Sequence, residues 1–493
     1  MIVVKKKRSP SIVEHLDNDT LRMVGENLTH GRTTHGAVRL ACILGRTCAT
    51  FRAITNSVLQ AILQLDEDQL KVFQAAMKGE SILITGVAGT GKSQIVRAIR
   101  SVSSPDRMAV TASTGAAAAM VGGSTINSFL GMGTGRENVE VYFSIVYGSR
   151  NKELKERIVS TDRILIDEIS MIDSKFFDKI HSLVNGVRGR VGNTLPVQFI
   201  LVGDFLQLPA VSATTNGFVF QSKAWKELGV KVFELKKVHR QTDPKLLEVL
   251  GRIRGGNLSQ MDHAYLMENC AKEPHEDSVC LFAKNDDADT HNRVVLSKIH
   301  QPTHPFNCVD KGDEHALTAV TAQPKLFLKV GALVMCLKNI NVSASRGRLV
   351  NGSVGRVQKV DVVEAPPTIR NAHITVEFTD YGDTGDSPHK FTHTFITGCT
   401  PENEFSVYKK DKIVATRYQI PLKLAWGVSI HKSQGATFDK LVVNMAGCFA
   451  DGQAYVALSR ARTLAGMHIT DLTRRCVRAS AVALDFYKRS SLI

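Results

Sequence analysis

The stretch "SILITGVAGTGKSQIVRAI" (81–99) constrains this chain more than any other. A short apolar run ends at Gly86, and "GVAGTGKS" (86–93) fits G-x-x-x-x-G-K-[ST] where that run meets a helical stretch. The pattern works only as strand, tight loop and helix, because backbone N–H groups must converge on phosphates at a helix N-terminus. Gly86, Val87, Ala88, Gly89, Thr90 and Gly91 would form the cradle, and Lys92 would reach the β- and γ-phosphates. Ser93 would be a ligand of Mg²⁺, so the loop implies both ATP and Mg²⁺.

Such a cradle needs a second metal anchor and a group that orients water. "RILIDE" (163–168) places Asp167 and Glu168 at the end of a further apolar run. Asp167 suits Mg²⁺ and Glu168 suits polarising the attacking water. An adjacent acid pair is usually a solvated turn, but this one closes a buried strand downstream of a phosphate loop. A third run, "VQFILVGD" (197–204), leads into "GDFLQLP", where Asp204 can join the metal shell and Gln207 can sense the γ-phosphate. Apolar runs alternating with helical stretches predict a parallel α/β sheet.

At 493 residues the chain exceeds a single core and calls for several domains. Sixty-two Lys and Arg face 47 Asp and Glu, a formal net charge of +15 that favours a polyanionic partner. The nine cysteines form no CxxC pair, which argues against a zinc site or disulfide framework and for a reducing compartment. No run of apolar residues is long enough to span a membrane, and the start "MIVVKKKRSP" lacks the apolar core of a secretory signal. Its Lys5–Arg8 cluster reads equally as a nuclear address or a solvated tail, so the protein is expected to be nuclear or otherwise intracellular.

Residues 1–62 read as a helical extension, with Leu40, Leu44, Cys48, Phe51, Val58 and Ile62 on one face. "LDEDQLKVFQAAMKGE" predicts a helix with Asp66 as N-cap. Beyond residue 310 the character turns to strands: "GALVMCLKN", "GSVGRVQKVDVV" and the alternating "HITVEFTD" predict a β-rich insertion over 312–420. Residues 63–238, 239–311 and 421–493 are then left for the α/β parts.

"LAWGVSIHKSQGATF" (424–438) crowds polar residues behind an apolar run. A hydrolase reading of His431 and Ser433 fails, since Ser433 lies in no G-x-S-x-G elbow. A metal reading of His431 fails for want of a second ligand at a useful spacing.

The series "TGVAGTGKS", "TASTGAAAAMVGGSTINSF", "LIDEISMIDSKFFDKIHSLVNGVR", "LVGDFLQLPAV", "LVNGSVG", "LAWGVSIHKSQGATF" and "GQAYVALSRA" resembles, in this order, the motifs of the petite-integration-frequency (PIF) helicases. These are DNA helicases of superfamily one, type B, related to RecD, and the resemblance runs over about residues 63–472. It implies two RecA-like P-loop domains with ATP between them, a small β-barrel within 312–420, and a wedge near 131–157. It also implies 5′-to-3′ translocation by a monomer on single-stranded and forked DNA. DNA repair, recombination and telomere maintenance are the roles it suggests. Gln69 would read the adenine, Arg240 and Arg460 would approach the γ-phosphate, and Gly435 would lie against the nucleotide.

On the DNA side the resemblance offers Thr114, Ser128, Phe129, His431, Lys432, Ser433, Gln434 and Thr437. Phe129 can stack on a base or belong to the core, and Gln434 and Thr437 can couple DNA to ATP. The chain departs from the family pattern at Asn127, His239 and Ala210, where histidine, phenylalanine and proline are usual. Residues 10–55 resemble an F-box, which would recruit a ubiquitin-ligase adaptor; the alternative is a helical extension packed on the motor. An RNA helicase and a translocase that does not unwind remain open alternatives.

Overall fold

The computed structural model describes residues 63, 65–148, 151–193, 195–210, 212–239, 243–275, 278–318, 320–338, 340–341, 348–349, 352–362, 372–380, 389–409 and 412–490. The expected N-terminal helices and the F-box resemblance lie outside the described residues, as does Arg240.

The first sheet is built from β1 (Ile82–Gly86), β2 (Met108–Ala112), β3 (Ser124–Thr125), β4 (Arg163–Asp167), β5 (Gln198–Val202) and β6 (Lys231–Leu235). Their order is β3-β2-β4-β5-β1-β6, and every pairing is parallel. The period-2 geometry of a strand explains how short apolar runs serve two cores. Ile82, Ile84, Leu165, Ile200 and Val202 face one core with Phe73, Ile95 and Ile99. Leu83, Ile164, Ile166, Phe199 and Leu201 face the other with Phe177, Ile180 and Leu183. Helices therefore cover both faces. The order sets β4, β5 and β1 side by side, so the loops leaving their C-terminal ends share one rim.

A second parallel sheet joins Gly427–Ser429, β7 (Val279–Phe282), Leu441–Asn444 and Met467–Thr470 in that order. Its core contains Leu281, Val428, Val443, Tyr455 and Ile469 together with Leu246, Val249 and Ile253 from the helix Pro244–Arg254. The predicted helix at 452–463 is shorter, Gln453–Leu458, and ends where Ser459 and Arg460 turn back toward the first sheet.

Between these parts the chain is β-rich, as the alternation predicted. Five antiparallel strands (His389–Ile396, Ala372–Asp380, Val354–Val362, Leu333–Cys336 and Leu422–Leu424) form one sheet in that order. Ile374, Val376 and Phe378 are fully buried, the inward face of "HITVEFTD". A separate sheet pairs Glu404–Lys409, Lys412–Tyr418 and Val309–Gly312. No pairing among the described residues closes the five strands, so the expected barrel is seen here as an open sheet beside a smaller one.

The helix Ala481–Arg489 follows the last strand of the second sheet in sequence, yet it packs on the first core. Phe486 stacks on Phe220 at 4.1 Å and meets Phe205 edge-on at 5.6 Å. The helices Val139–Tyr147 and Lys152–Ser160, in the expected wedge region, bury Tyr142, Val146 and Ile158 in that same core.

Candidate nucleotide-binding site

The phosphate loop leaves β1 at Gly86 and enters the helix Lys92–Val102 through Gly91. Gly91 has φ +80°, a left-handed backbone that strains any L side chain, and a Cβ there would stand 2.4 Å from Gln69 Nε2, which would have to move. Gln69 is placed by the predicted cap: Asp66 accepts from its amide at 2.9 Å, and its own Oε1 accepts from the Asp66 amide. Its Nε2 then donates to the Thr90 carbonyl at 3.4 Å, which sets the side chain against the loop. His239, standing where the family has phenylalanine, donates its backbone N–H to Gly89 and pairs with Asp66 at 3.2 Å.

Lys92 folds back and donates to the carbonyls of Gly86 at 2.7 Å and Val87 at 3.0 Å. Burial lowers its pKa to about 8 against the opposing pull of Asp204 and Glu168. Asp167 is raised to about 7, first by burial and then by Glu168 beside it. Burial also raises Glu168, opposed by Arg460, Lys92 and the hydrogen bond from Gln434. Glu168 has φ +52°, a left-handed backbone that a non-glycine residue rarely holds. Its carboxylate accepts from Gln434, whose Nε2 donates to Glu168 Oε2 at 2.8 Å.

Ser93, Asp167, Glu168, Gln207, Gly435, Thr437 and Arg460 all line one cleft of about 1430 Å³ with the phosphate loop. The Ser93 hydroxyl and the adjacent carboxylates of Asp167 and Glu168, whose charge burial disfavours, make a donor set that a hard cation would satisfy, so Ser93 and Asp167 fit Mg²⁺. Arg460 is buried, and its guanidinium donates to the carbonyls of Val456 at 2.9 Å and Ala436 at 3.3 Å. Gly435, at φ +82°, passes so close to Met120 that a Cβ would stand 2.9 Å from its sulfur.

The DNA-side expectations fare unevenly. Phe129 is buried in the core cluster with Ile126, Leu130 and Ile158, the Arg157 guanidinium lies 5.2 Å above its ring, and it also borders the cleft. Ser433 is buried and its hydroxyl donates to the Ile430 carbonyl at 2.8 Å, which takes it from the phosphate-donor role. Gln434 points to Glu168 and is buried, so it belongs to the acid and not to a DNA surface. Thr114 caps the helix Gly115–Met120 by accepting from the Ala117 amide at 3.2 Å. His431 is half-buried against Phe449, whereas Lys432 and Ser128 are exposed. Asn127, in place of the usual histidine, donates to the Gly133 carbonyl at 2.9 Å.

Three further groups escaped the sequence reading. Tyr455 accepts from the phosphate-loop amide of Ala88 at 2.8 Å, bringing the second sheet's core to the loop. Its motif "GQAYVALSRA" was in view, but nothing in the motif singles out the tyrosine. Ser113 donates to the Glu168 carbonyl at 2.8 Å, tying "TASTG" to the acid. Arg254 reaches across from the helix Pro244–Arg254 and holds Asp204 by two bonds, 2.8 and 2.9 Å. Burial alone would raise Asp204, but Arg254 outweighs it and holds the carboxylate below its usual range. No motif marks that arginine.

Comparison with known proteins fits this geometry. The profile of a family described as PIF1-like helicase matches residues 64–255, and one described as DNA helicase Pif1, 2B domain, matches residues 317–360. The chain is 33% identical to the ATP-dependent DNA helicase PIF1 of Xenopus laevis over 86% of this chain and 64% of that protein. The human protein of the same description is 34% identical over 86% of this chain and 63% of its own length. The chain thus spans somewhat less than two thirds of the length of these relatives. Among solved structures, the Pif1 helicase of Candida albicans superposes with a TM-score of 0.75 at 33% identity, covering 87% of this chain and 99% of that one. A Bacteroides Pif1 in complex with ADP-AlF3 and single-stranded DNA gives 0.69 at 28% identity, covering 86% and 96%. Both share the mixed α/β architecture built on RecA-like parallel sheets. Agreement of that breadth and identity shows that this chain belongs to the PIF1-like helicase family.

Proposed function

We propose that this protein is an ATP-driven DNA helicase that moves 5′ to 3′ along single-stranded DNA and works as a monomer on tailed or forked duplexes. The observation that carries the reading is the 2.8 Å bond from Gln434 to Glu168, because it joins the "HKSQG" segment to the acid that would polarise water. Ser113 adds a second link from "TASTG" to the backbone of the same residue. A shift of either segment on the nucleic acid reaches Glu168 directly.

In this reading Lys92 leaves the carbonyls of Gly86 and Val87 for the β- and γ-phosphates, which satisfy its charge better. Ser93 and Asp167 hold Mg²⁺, which supplies neutralising charge to the phosphates when bound. Glu168 orients the water that attacks the γ-phosphorus, and Arg460, with Arg240, brings guanidinium charge to the phosphoryl group as its bond to ADP breaks. Gln207 senses the γ-phosphate from the loop after β5. Exposed Lys432 and half-buried Thr437 contact the DNA backbone. The solved relatives described as bound to single-stranded DNA and to forked duplex support DNA as the partner. Repair, recombination and telomere maintenance in the nucleus are the setting this reading suggests.

The test is strand separation with Mg-ATP on DNA and RNA duplexes bearing a 5′ or a 3′ tail, with Lys92→Ala as control. Unwinding of 5′-tailed DNA alone is expected. Unwinding from the 3′ tail would refute the polarity, preference for RNA would refute the substrate, and hydrolysis without strand separation would leave a translocase.

A further inference from the structure

The rear of the phosphate loop holds a buried polar knot that the mechanism above does not use. Tyr487, from the helix Ala481–Arg489, lies with its hydroxyl 2.7 Å from Thr85 Oγ1, 3.1 Å from the Phe205 amide and 3.2 Å from Asp204 Oδ1. Thr85 is the residue before Gly86 at the end of β1, and Asp204 and Phe205 open the loop after β5 that carries Gln207. The donors and acceptors balance in one way. The phenol donates to Asp204, which as a carboxylate can only accept, and it accepts from the Phe205 amide and the Thr85 hydroxyl.

Arg254 completes the knot: its guanidinium grips Asp204 and lies 5.1 Å above the Tyr487 ring. Groups from the first sheet, from the helix Pro244–Arg254 of the second core and from the C-terminal helix therefore meet at one carboxylate. The side chain of Phe486, the neighbour of Tyr487, makes ring contacts with Phe205, Phe220, Trp225 and Tyr487. Packing and polar bonding are thus divided between two adjacent residues. If the helix served only to cover apolar surface, Phe486 would suffice and a phenol aimed at Thr85 and Asp204 would be a liability.

We infer that Tyr487 is a positioning residue for ATP hydrolysis: through its hydroxyl it fixes the end of β1, which begins the phosphate loop, relative to the loop that carries Gln207. This rests on the ATPase reading above. Tyr487 touches neither nucleotide nor metal, and acts by holding Thr85, Asp204 and Phe205 in register with Arg254.

The test compares Tyr487→Phe, which keeps the ring and removes the hydroxyl, with Phe486→Leu, which weakens packing and leaves the knot intact. Steady-state ATP hydrolysis with single-stranded DNA is measured below the melting transition of each protein. Tyr487→Phe should lower kcat about tenfold while KM for ATP stays within about twofold, and Phe486→Leu should keep kcat within about twofold even where its Tm falls as far. Thr85→Val, which removes the same bond from the other side, should reproduce the Tyr487→Phe signature and serves alone if that protein does not fold. Unchanged kcat in Tyr487→Phe or Thr85→Val, or equal losses in Phe486→Leu, would overturn the inference. Absence of hydrolysis by the unmutated protein would instead overturn the ATPase reading itself.

Discussion

Replacing Gln434 by alanine removes one donor from a buried carboxylate and leaves the rest of the cleft in place. Gln434 Nε2 donates to Glu168 Oε2 at 2.8 Å, and its Oε1 has no partner among the described residues, so the bond to Glu168 is what the side chain contributes. A hydrogen bond to a charged group is worth about 1.5–3 kcal/mol. With about 1.4 kcal/mol per factor of ten in rate, DNA-stimulated hydrolysis should fall about 10- to 150-fold. Glu168, already raised by burial, moves further up once the donor is gone, and the loss should therefore deepen as pH falls. Affinity for single-stranded DNA should change little, because the side chain is buried and directed at the acid. The assay pairs anisotropy titration of labelled single-stranded DNA with hydrolysis and unwinding rates on the same protein. If DNA affinity and unwinding fell by the same factor while hydrolysis per bound complex held, Gln434 would be a plain DNA contact and the coupling argument would be wrong.

Other substitutions separate the remaining roles. Glu168→Gln should abolish turnover while nucleotide binding persists, measured by titration with a fluorescent ATP analogue; loss of binding would move Glu168 from water activation to nucleotide affinity. Phe129→Ala should cost about 3–5 kcal/mol in urea unfolding, because it empties a core position; a stable protein with weak DNA binding would restore the stacking alternative. Asp262 is held at about 2 by Arg252 hydrogen bonds and by Ser259, against an ordinary 3.8. Its folded value is depressed, so the stability it confers is present above the ordinary value and lost as pH falls through about 2. The gap amounts to about 2 kcal/mol, reduced by solvent screening at the partly exposed Arg252 to about 1 kcal/mol. Asp262→Asn should lower stability by that amount at neutral pH and flatten the acid limb of the unfolding curve. An unchanged limb would refute the assignment.

The parts of the site that were legible in the sequence are those where local geometry dictates residue type. Gly91 must accept a positive φ, Lys92 must follow it at the helix start, and Asp66 with Gln69 writes its own cap. The strands were legible because the centres of β1, β4 and β5 are buried on both faces and so read as short apolar runs. What stayed hidden depends on long-range contact. Whether Phe129 faces DNA or the core is decided by Arg157 and Ile158, nearly thirty residues further along. Arg254 and Tyr487 sit in stretches with no motif; the helix Pro244–Arg254 brings the first to Asp204, and the return of the C-terminal helix to the first core brings the second. Ser433 looked like a donor because its neighbours are polar, yet a single turn of 3₁₀ helix from Ile430 to Ser433 gives its hydroxyl a local acceptor.

That return of the chain also limits how the two lobes can part. Val477 belongs to the second core and Ala483 to the first, and the helix holding Ala483 begins at Ala481. Four peptide steps fully extended reach about 14 Å, so at this edge the lobes are tethered as if by a short strap. A second crossing, from the end of β6 at Leu235 to the helix starting at Pro244, ties them again. Of these two crossings, the one after Val477 is the shorter and sets the tighter limit on how far that edge can open. Cutting the chain between residues 477 and 481 would remove the shorter strap without altering any residue of the cleft, leaving the lobes joined by the crossing after β6 and by contacts such as Arg254 with Asp204.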